Sequence, residues 1–177
     1  MGKGFDEYAQ QYDSWFLDNP NVLATEAALV ALTLKGSKRI LSVGCGSGLF
    51  ETILRNDYDI IVTDGVEPSP AMADIARKRG LTVTEATAED YEYPAGVYDT
   101  ILFNGSPSYI TALRAVLKKV YAALPAGGKV VLIDVPKESS YGLLYNLAKA
   151  VGTWDHPLLQ GCYPPNPYGS CQLAHIS

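Results

Sequence analysis

Ile40-Leu41-Ser42-Val43-Gly44-Cys45-Gly46-Ser47-Gly48-Leu49-Phe50-Glu51 is the stretch that decides the fold. It begins as a short apolar run with β-branched residues, which reads as a buried strand. A G-x-G-x-G turn follows at once, and Leu49, Phe50, Ile53 and Leu54 then recur at helical spacing. Strand, glycine turn and helix in that order open a nucleotide-binding α/β unit. Glycines lack a Cβ, so the backbone can turn tightly and a ligand can rest against it. The N-terminus of the following helix offers unpaired N–H groups to a polar or anionic ligand. The same kind of turn also serves plain packing, so the motif alone leaves both readings open.

Downstream, Ile60 to Glu67 reads as a second strand. Glu67 stands 23 residues beyond Gly44. An acidic residue at that distance, at the tip of a second strand, can accept hydrogen bonds from both ribose hydroxyls of a nucleotide. Asp64 competes for the role, but Pro68-Ser69-Pro70 starts a helix just after Glu67, with Ser69 as N-cap and Pro70 in the first turn. Met72, Ile75, Ala76 and Arg79 continue that helix to Gly80. Met72 is read either as core or as a side chain under a flat base. Leu81 to Thr84 is a third strand, Val97 to Asn104 a fourth, Ile110 to Leu124 an amphipathic helix, and Lys129 to Asp134 a fifth strand. Strands alternating with helices predict an α/β fold with a doubly wound, mostly parallel sheet. Ligands of such sheets sit at the carboxyl ends of the strands, which gathers Gly44 to Gly48, Glu67, Ala88-Glu89, Asn104 and the loop after Asp134 on one edge.

Upstream, Phe5, Tyr8, Tyr12, Trp15 and Phe16 fall on one helical face. That face either docks on the core or forms a lid over a ligand. Asn19-Pro20 breaks the segment, and Asn21 is read as the cap of a second helix that ends at Gly36. The 177 residues fit one domain. It divides into a helical lid (1–35), a cofactor-binding core (36–136) and a substrate-side helix with an irregular tail (137–177). No membrane span and no signal peptide are visible. Three cysteines without metal-ligand spacing point to a reduced, cytoplasmic setting and to no metal site. A net charge of −5 argues against a non-specific nucleic-acid binder. The basic cluster Arg77-Lys78-Arg79 is read as a helix C-terminus favoured by the dipole.

Several pieces in order carry a resemblance. They are Phe5-x-x-Tyr8-Ala9-x-x-Tyr12-Asp13-x-Trp15-Phe16, Val43 to Gly48, Val66-Glu67-Pro68-Ser69-x-x-Met72, Ala88-Glu89-Asp90, Tyr98 to Ile101, and Leu124-x-x-Gly127-Gly128. Together the chain resembles the class I S-adenosylmethionine-dependent methyltransferases, in the broad small-molecule group. The resemblance implies a Rossmann-like methyltransferase fold and S-adenosylmethionine as cofactor, leaving as S-adenosylhomocysteine. It implies that Gly44, Gly46 and Gly48 flank the methionine and ribose part of the cofactor and that Glu67 takes the ribose hydroxyls. Ala88 and Glu89 would meet the adenine edge, and Asn104 would lie beside the methionine part and the reacting methyl. Tyr12, Cys45, Pro68 and Met72 complete the cofactor-side candidates, although Cys45 by itself reads as a small buried residue. Tyr8, Tyr12 and Trp15 could close over the positive sulfur.

The chain departs from the family at Ser42, where an acid usually stands, and at Thr87, often acidic in the family. The family sheet has seven strands ordered 3-2-1-4-5-7-6, yet after Asp134 only one helix, about Ser140 to Val151, is legible. The expectation is about five strands with the final pair missing. An apolar edge at Lys129 to Asp134 would then be covered by the tail or pair with a second copy as a homodimer.

Methyl transfer needs positioning and exclusion of water more than acid–base groups, so no catalytic residue stands out. His156 is a lone candidate base. The partner expected is a small-molecule acceptor, with no nucleic acid and no membrane. Two alternatives stay open. A nicotinamide-dependent oxidoreductase would need a glycine where Leu49 stands. A non-catalytic S-adenosylmethionine-binding protein, or an inactive form, would fit Ser42 and the short sheet.

Overall fold

The computed structural model describes residues 3–135 and Leu143. Two helices come first, α1 (Lys3–Asp18) and α2 (Pro20–Leu34). Then follow β1 (Ile40–Val43), α3 (Leu49–Tyr58), β2 (Asp64–Val66), α4 (Pro70–Lys78), β3 (Thr82–Thr84), β4 (Thr100–Asn104), α5 (Leu113–Ala123) and β5 (Lys129–Ile133). The five strands form one sheet in the order β3-β2-β1-β4-β5, and every neighbouring pair is parallel. The chain leaves β1 in one direction for β2 and β3, then returns to the other side of β1 for β4. The switch point between β1 and β4 is where such sheets open a ligand crevice.

Alternation along β1 and β4 sorts the side chains onto two faces. Ile40, Leu102 and Val131 pack against Val30, Ala31 and Leu34 of α2 and Leu54 of α3. Leu41, Val43, Ile101 and Phe103 pack against Val116 and Val120 of α5. Full burial of side chains such as Leu102 and Phe103 is worth roughly 1.5–3 kcal/mol each. Ser42 interrupts the first face, and Asn104 ends it at the edge. Asp99 ties the entrance of the sheet together: its carboxylate accepts from the N–H groups of Lys38 and Arg39, just before β1. Lys129 closes the far corner, its Nζ donating to the carbonyls of Thr33 and Lys35 at the C-terminal end of α2.

Several boundaries differ from expectation. β2 begins at Asp64, not Ile60. Val62 is spent on the core beneath α2 and α3, Ile61 is exposed, and the ladder to β1 starts only where Asp64 meets Leu41. α2 starts at Pro20 with Asn19 in the capping position, so Asn21 lies inside the helix. Asn19 does not cap through its side chain, which donates to the Trp15 carbonyl instead. α5 starts at Leu113 because a 3₁₀ turn, Pro107–Tyr109, takes up the residues after β4. Ser69 caps α4 as expected, its Oγ accepting from the Met72 N–H at 3.2 Å. Phe16 meets Phe50 edge to face, with centroids 5.2 Å apart, so this part of the aromatic face of α1 docks on the core. Trp15 is 45% exposed. The expectations about a helix near Ser140 to Val151, the absent strand pair, the cover of the β5 edge and His156 all fall on residues outside those described.

Candidate functional site

The glycine turn leaves β1 with three positive φ angles, 72° at Gly44, 55° at Gly46 and 74° at Gly48. Their reasons differ. A Cβ on Gly44 would collide with the Cβ of Ser106, whose Oγ donates to the Val43 carbonyl at 2.6 Å. A Cβ on Gly48 would press at 3.2 Å on Ala76 of α4, so this glycine serves helix packing. Nothing lies within 4 Å of a Cβ on Gly46. Cys45 turns inward to the cluster of Ala73, Ala76, Leu81 and Val83, and the missing Cβ of Gly65 makes room for its sulfur. Burial, with the nearby charges of Glu51 and Glu67, pushes the Cys45 thiol pKa well up. Cys45 is therefore a buried, neutral packing residue.

Glu67 lies just past β2 and is buried. Its Oε2 accepts from the Gly46 N–H and its Oε1 from the Ser69 N–H, both at 2.9 Å. The carboxylate thus clamps the glycine turn to the start of α4. The sequence shows the strand tip but not the two backbone donors around it. Pro68 beside it is exposed, while Met72 is 1% exposed and packs as core.

Ala88 is buried, and its carbonyl accepts from the Tyr93 hydroxyl at 3.0 Å. Glu89 reaches the start of α5, where its Oε1 accepts from the Ala112 N–H at 3.2 Å. Thr87 donates to Asp90 at 2.7 Å, so an acid does stand against the position where the family often has one.

Asn104 ends β4 with its Oδ1 buried and unpartnered. Beside it lies Glu26 of α2, which sequence reasoning missed. Burial raises the Glu26 pKa, a hydrogen bond with Asn104 opposes the rise, and the charge of Asp134 adds to it. Asp134 is held by the Ser108 N–H at 2.8 Å. Two carboxyl groups and an amide therefore meet at the C-terminal ends of β4 and β5. The only sequence signal for Glu26 was a charge inside an otherwise apolar helix.

Asp13 of α1 is the second residue that sequence reasoning left without a role. Its Oδ1 accepts from the Ser47 hydroxyl at 2.6 Å, and its Oδ2 pairs with Arg79. Arg79 also donates to the Ser47 carbonyl at 2.8 Å. Arg79 is thus more than a cation at a helix end: it fastens α1 to the glycine turn. Tyr12, the residue before Asp13, is half-buried and meets Phe16 edge to face at 5.7 Å. Asp13→Ala should remove about 1–3 kcal/mol of this docking. Amide hydrogen exchange should then accelerate in α1 while β1 and β4 keep their protection. Equal loss in all three elements, or none, would show that the latch does not hold α1 separately.

Among the described residues, no helix is long and apolar enough to cross a membrane, and no group of His, Cys, Asp or Glu could hold a metal ion.

The geometry has counterparts. A family model described as a methyltransferase domain matches residues 15–176. An uncharacterised protein of Methanocaldococcus jannaschii is 32% identical over 146 residues, covering 82% of this chain and 67% of its own length. One from Mycobacterium tuberculosis is 30% identical over 148 residues, covering 81% of this chain and 50% of its own, so the chain spans about half the length of that relative. Among solved structures, a Thermotoga maritima protein superposes with a TM-score of 0.76 at 29% identity, covering 88% of this chain and 72% of that one. It is described as an S-adenosylmethionine-dependent methyltransferase and "possible histamine N-methyltransferase". The chain belongs to the methyltransferase-domain family, with the class I S-adenosylmethionine-dependent methyltransferase fold.

Proposed function

We propose that this chain transfers a methyl group from S-adenosylmethionine to a small-molecule acceptor in the cytoplasm. The observation that carries the reading is the Glu67 carboxylate, fixed by two backbone N–H groups beside the glycine turn at the β1–β4 switch point. A carboxylate has about four lone-pair sites, and at this strand tip it is placed where the two hydroxyls of a bound ribose would donate. When bound, the cofactor supplies an already activated sulfonium methyl group. The remaining work falls to the chain. Gly46 lets backbone approach the ligand, Asn104 lies beside its methionine part, and α1 helps to exclude water when latched by Asp13. Glu26, with its pKa raised by burial, gives the edge a carboxyl group suited to take a proton from an acceptor amine or hydroxyl. The acidic pair Glu26 and Asp134 favours a basic acceptor, and the description of the Thermotoga relative is in keeping with an amine.

Calorimetry with S-adenosylhomocysteine and with NAD tests the cofactor class. The chain should bind the first at least tenfold more tightly. Tighter NAD binding would restore the oxidoreductase reading, which Leu49 disfavours. Methyl transfer to a panel of amines and phenols separates an enzyme from a non-catalytic binder.

A further inference from the structure

Ser42 stands where the family usually has an acid, and the structure shows what stands against it. The Ser42 hydroxyl donates to Oε1 of Glu51 at 2.6 Å. Glu51 belongs to the first turn of α3 and is 4% exposed. Its second oxygen, Oε2, is buried with no hydrogen-bond partner. Asn104 Oδ1 is buried and unpartnered as well. Both lie on the α2 and α3 side of the sheet, toward its C-terminal edge. Ser42 pairs with Leu102 across β1 and β4, and Asn104 lies two residues beyond Leu102 on the same face of the sheet. Glu51 is also close enough to the glycine turn for its charge to act on Cys45.

Unsatisfied buried polar atoms are costly and call for a reason. These two are both acceptors, so the group that completes them must be a donor. An ammonium carries three donors and no acceptor, and its charge offsets a buried carboxylate. We propose that Glu51, positioned by Ser42, supplies from the helix the negative charge that β1 lacks, and with Asn104 Oδ1 seats the ammonium at the amino-acid end of the cofactor. This rests on the proposed function and adds to it the residue that binds one end of the ligand.

A stability signature accompanies the role. Burial raises the Glu51 pKa, and the Ser42 hydrogen bond only partly opposes this. A carboxyl whose folded pKa is raised favours the fold at low pH and loses that contribution as pH rises through the folded value. Glutamine keeps the acceptor for Ser42 and has no proton to lose. Glu51→Gln should therefore unfold at the same temperature as the wild type or higher at pH 8.

The test compares two nucleosides on the full chain by calorimetry. S-adenosylhomocysteine carries the amino-acid end, and 5′-methylthioadenosine lacks it. Glu51→Gln should weaken the first by about tenfold or more and leave the second within about twofold. Asn104→Ala should show the same difference, and it tests the seat independently should Glu51→Gln fail to fold. Ser42→Asp placed in the Glu51→Gln chain returns the carboxylate to the strand and should recover S-adenosylhomocysteine affinity. Equal effects on both nucleosides, or none, would overturn the assignment. If the wild-type chain bound neither nucleoside, the proposed function would fall and this inference with it. If it bound both and the variants were silent, only this inference would fall.

Discussion

Gly44→Ala should cost the fold about 3 kcal/mol or more. Two causes add. The backbone at Gly44 has φ 72°, which costs a residue with a Cβ about 1–2 kcal/mol. The new methyl also collides with Ser106, and overpacking of this kind costs typically 1–3 kcal/mol. Ser106 cannot simply step aside, because its hydroxyl is bonded to the Val43 carbonyl at the end of β1. Gly46→Ala is the internal control: its φ is 55°, but nothing lies near the new methyl, so only the strain of about 1 kcal/mol should appear. Urea unfolding of the two variants measures the difference. Ser106→Gly in the Gly44→Ala chain should recover part of the loss. Equal destabilisation by both alanines would mean that the approach of Ser106 to β1 is not what demands Gly44.

This pair also shows why the glycine turn was legible while its internal division of labour was not. Three glycines after an apolar run predict strand, turn and helix from local chemistry alone, and β1, α3 and the parallel sheet follow. What each glycine faces depends on residues far away in the chain: Ser106 for Gly44, Ala76 for Gly48, and the carboxylate of Glu67 for the N–H of Gly46. The same limit hid Glu26, Glu51 and Asp13. Each is an acid on a helix, and helical spacing places a charge on a face without saying what sheet or loop that face meets. Glu51 closes the opening stretch with no role legible in it, and only the fold shows it buried against Ser42. Strand lengths erred in one direction for a related reason. Apolar runs such as Ile60 to Val62 carry the β-branched signal, but the ladder extends only as far as a partner strand runs alongside.

Glu67→Ala should weaken S-adenosylhomocysteine binding by about 1–3 kcal/mol, roughly five- to 150-fold, the scale of hydrogen bonds to a charged group. The same variant should also lose about 1–3 kcal/mol of stability, because it leaves the N–H groups of Gly46 and Ser69 without their acceptor. The two losses must be separated, and Glu67→Gln helps. Its single oxygen can serve one of the two donors while its amide nitrogen faces the other, so part of the clamp survives but the charge is gone. Binding should remain weak in the glutamine variant while stability partly returns. Asp64→Asn is the comparison. Asp64 starts β2, three residues before Glu67 and therefore about 10 Å back from the ligand edge at strand rise. Its Oδ2 accepts from the Thr63 hydroxyl at 2.6 Å. Asp64→Asn should leave binding within about twofold of the wild type, far less than the loss expected at Glu67. A large loss at Asp64 with none at Glu67 would move the ribose contact down the strand and leave Glu67 as a clamp of the turn alone.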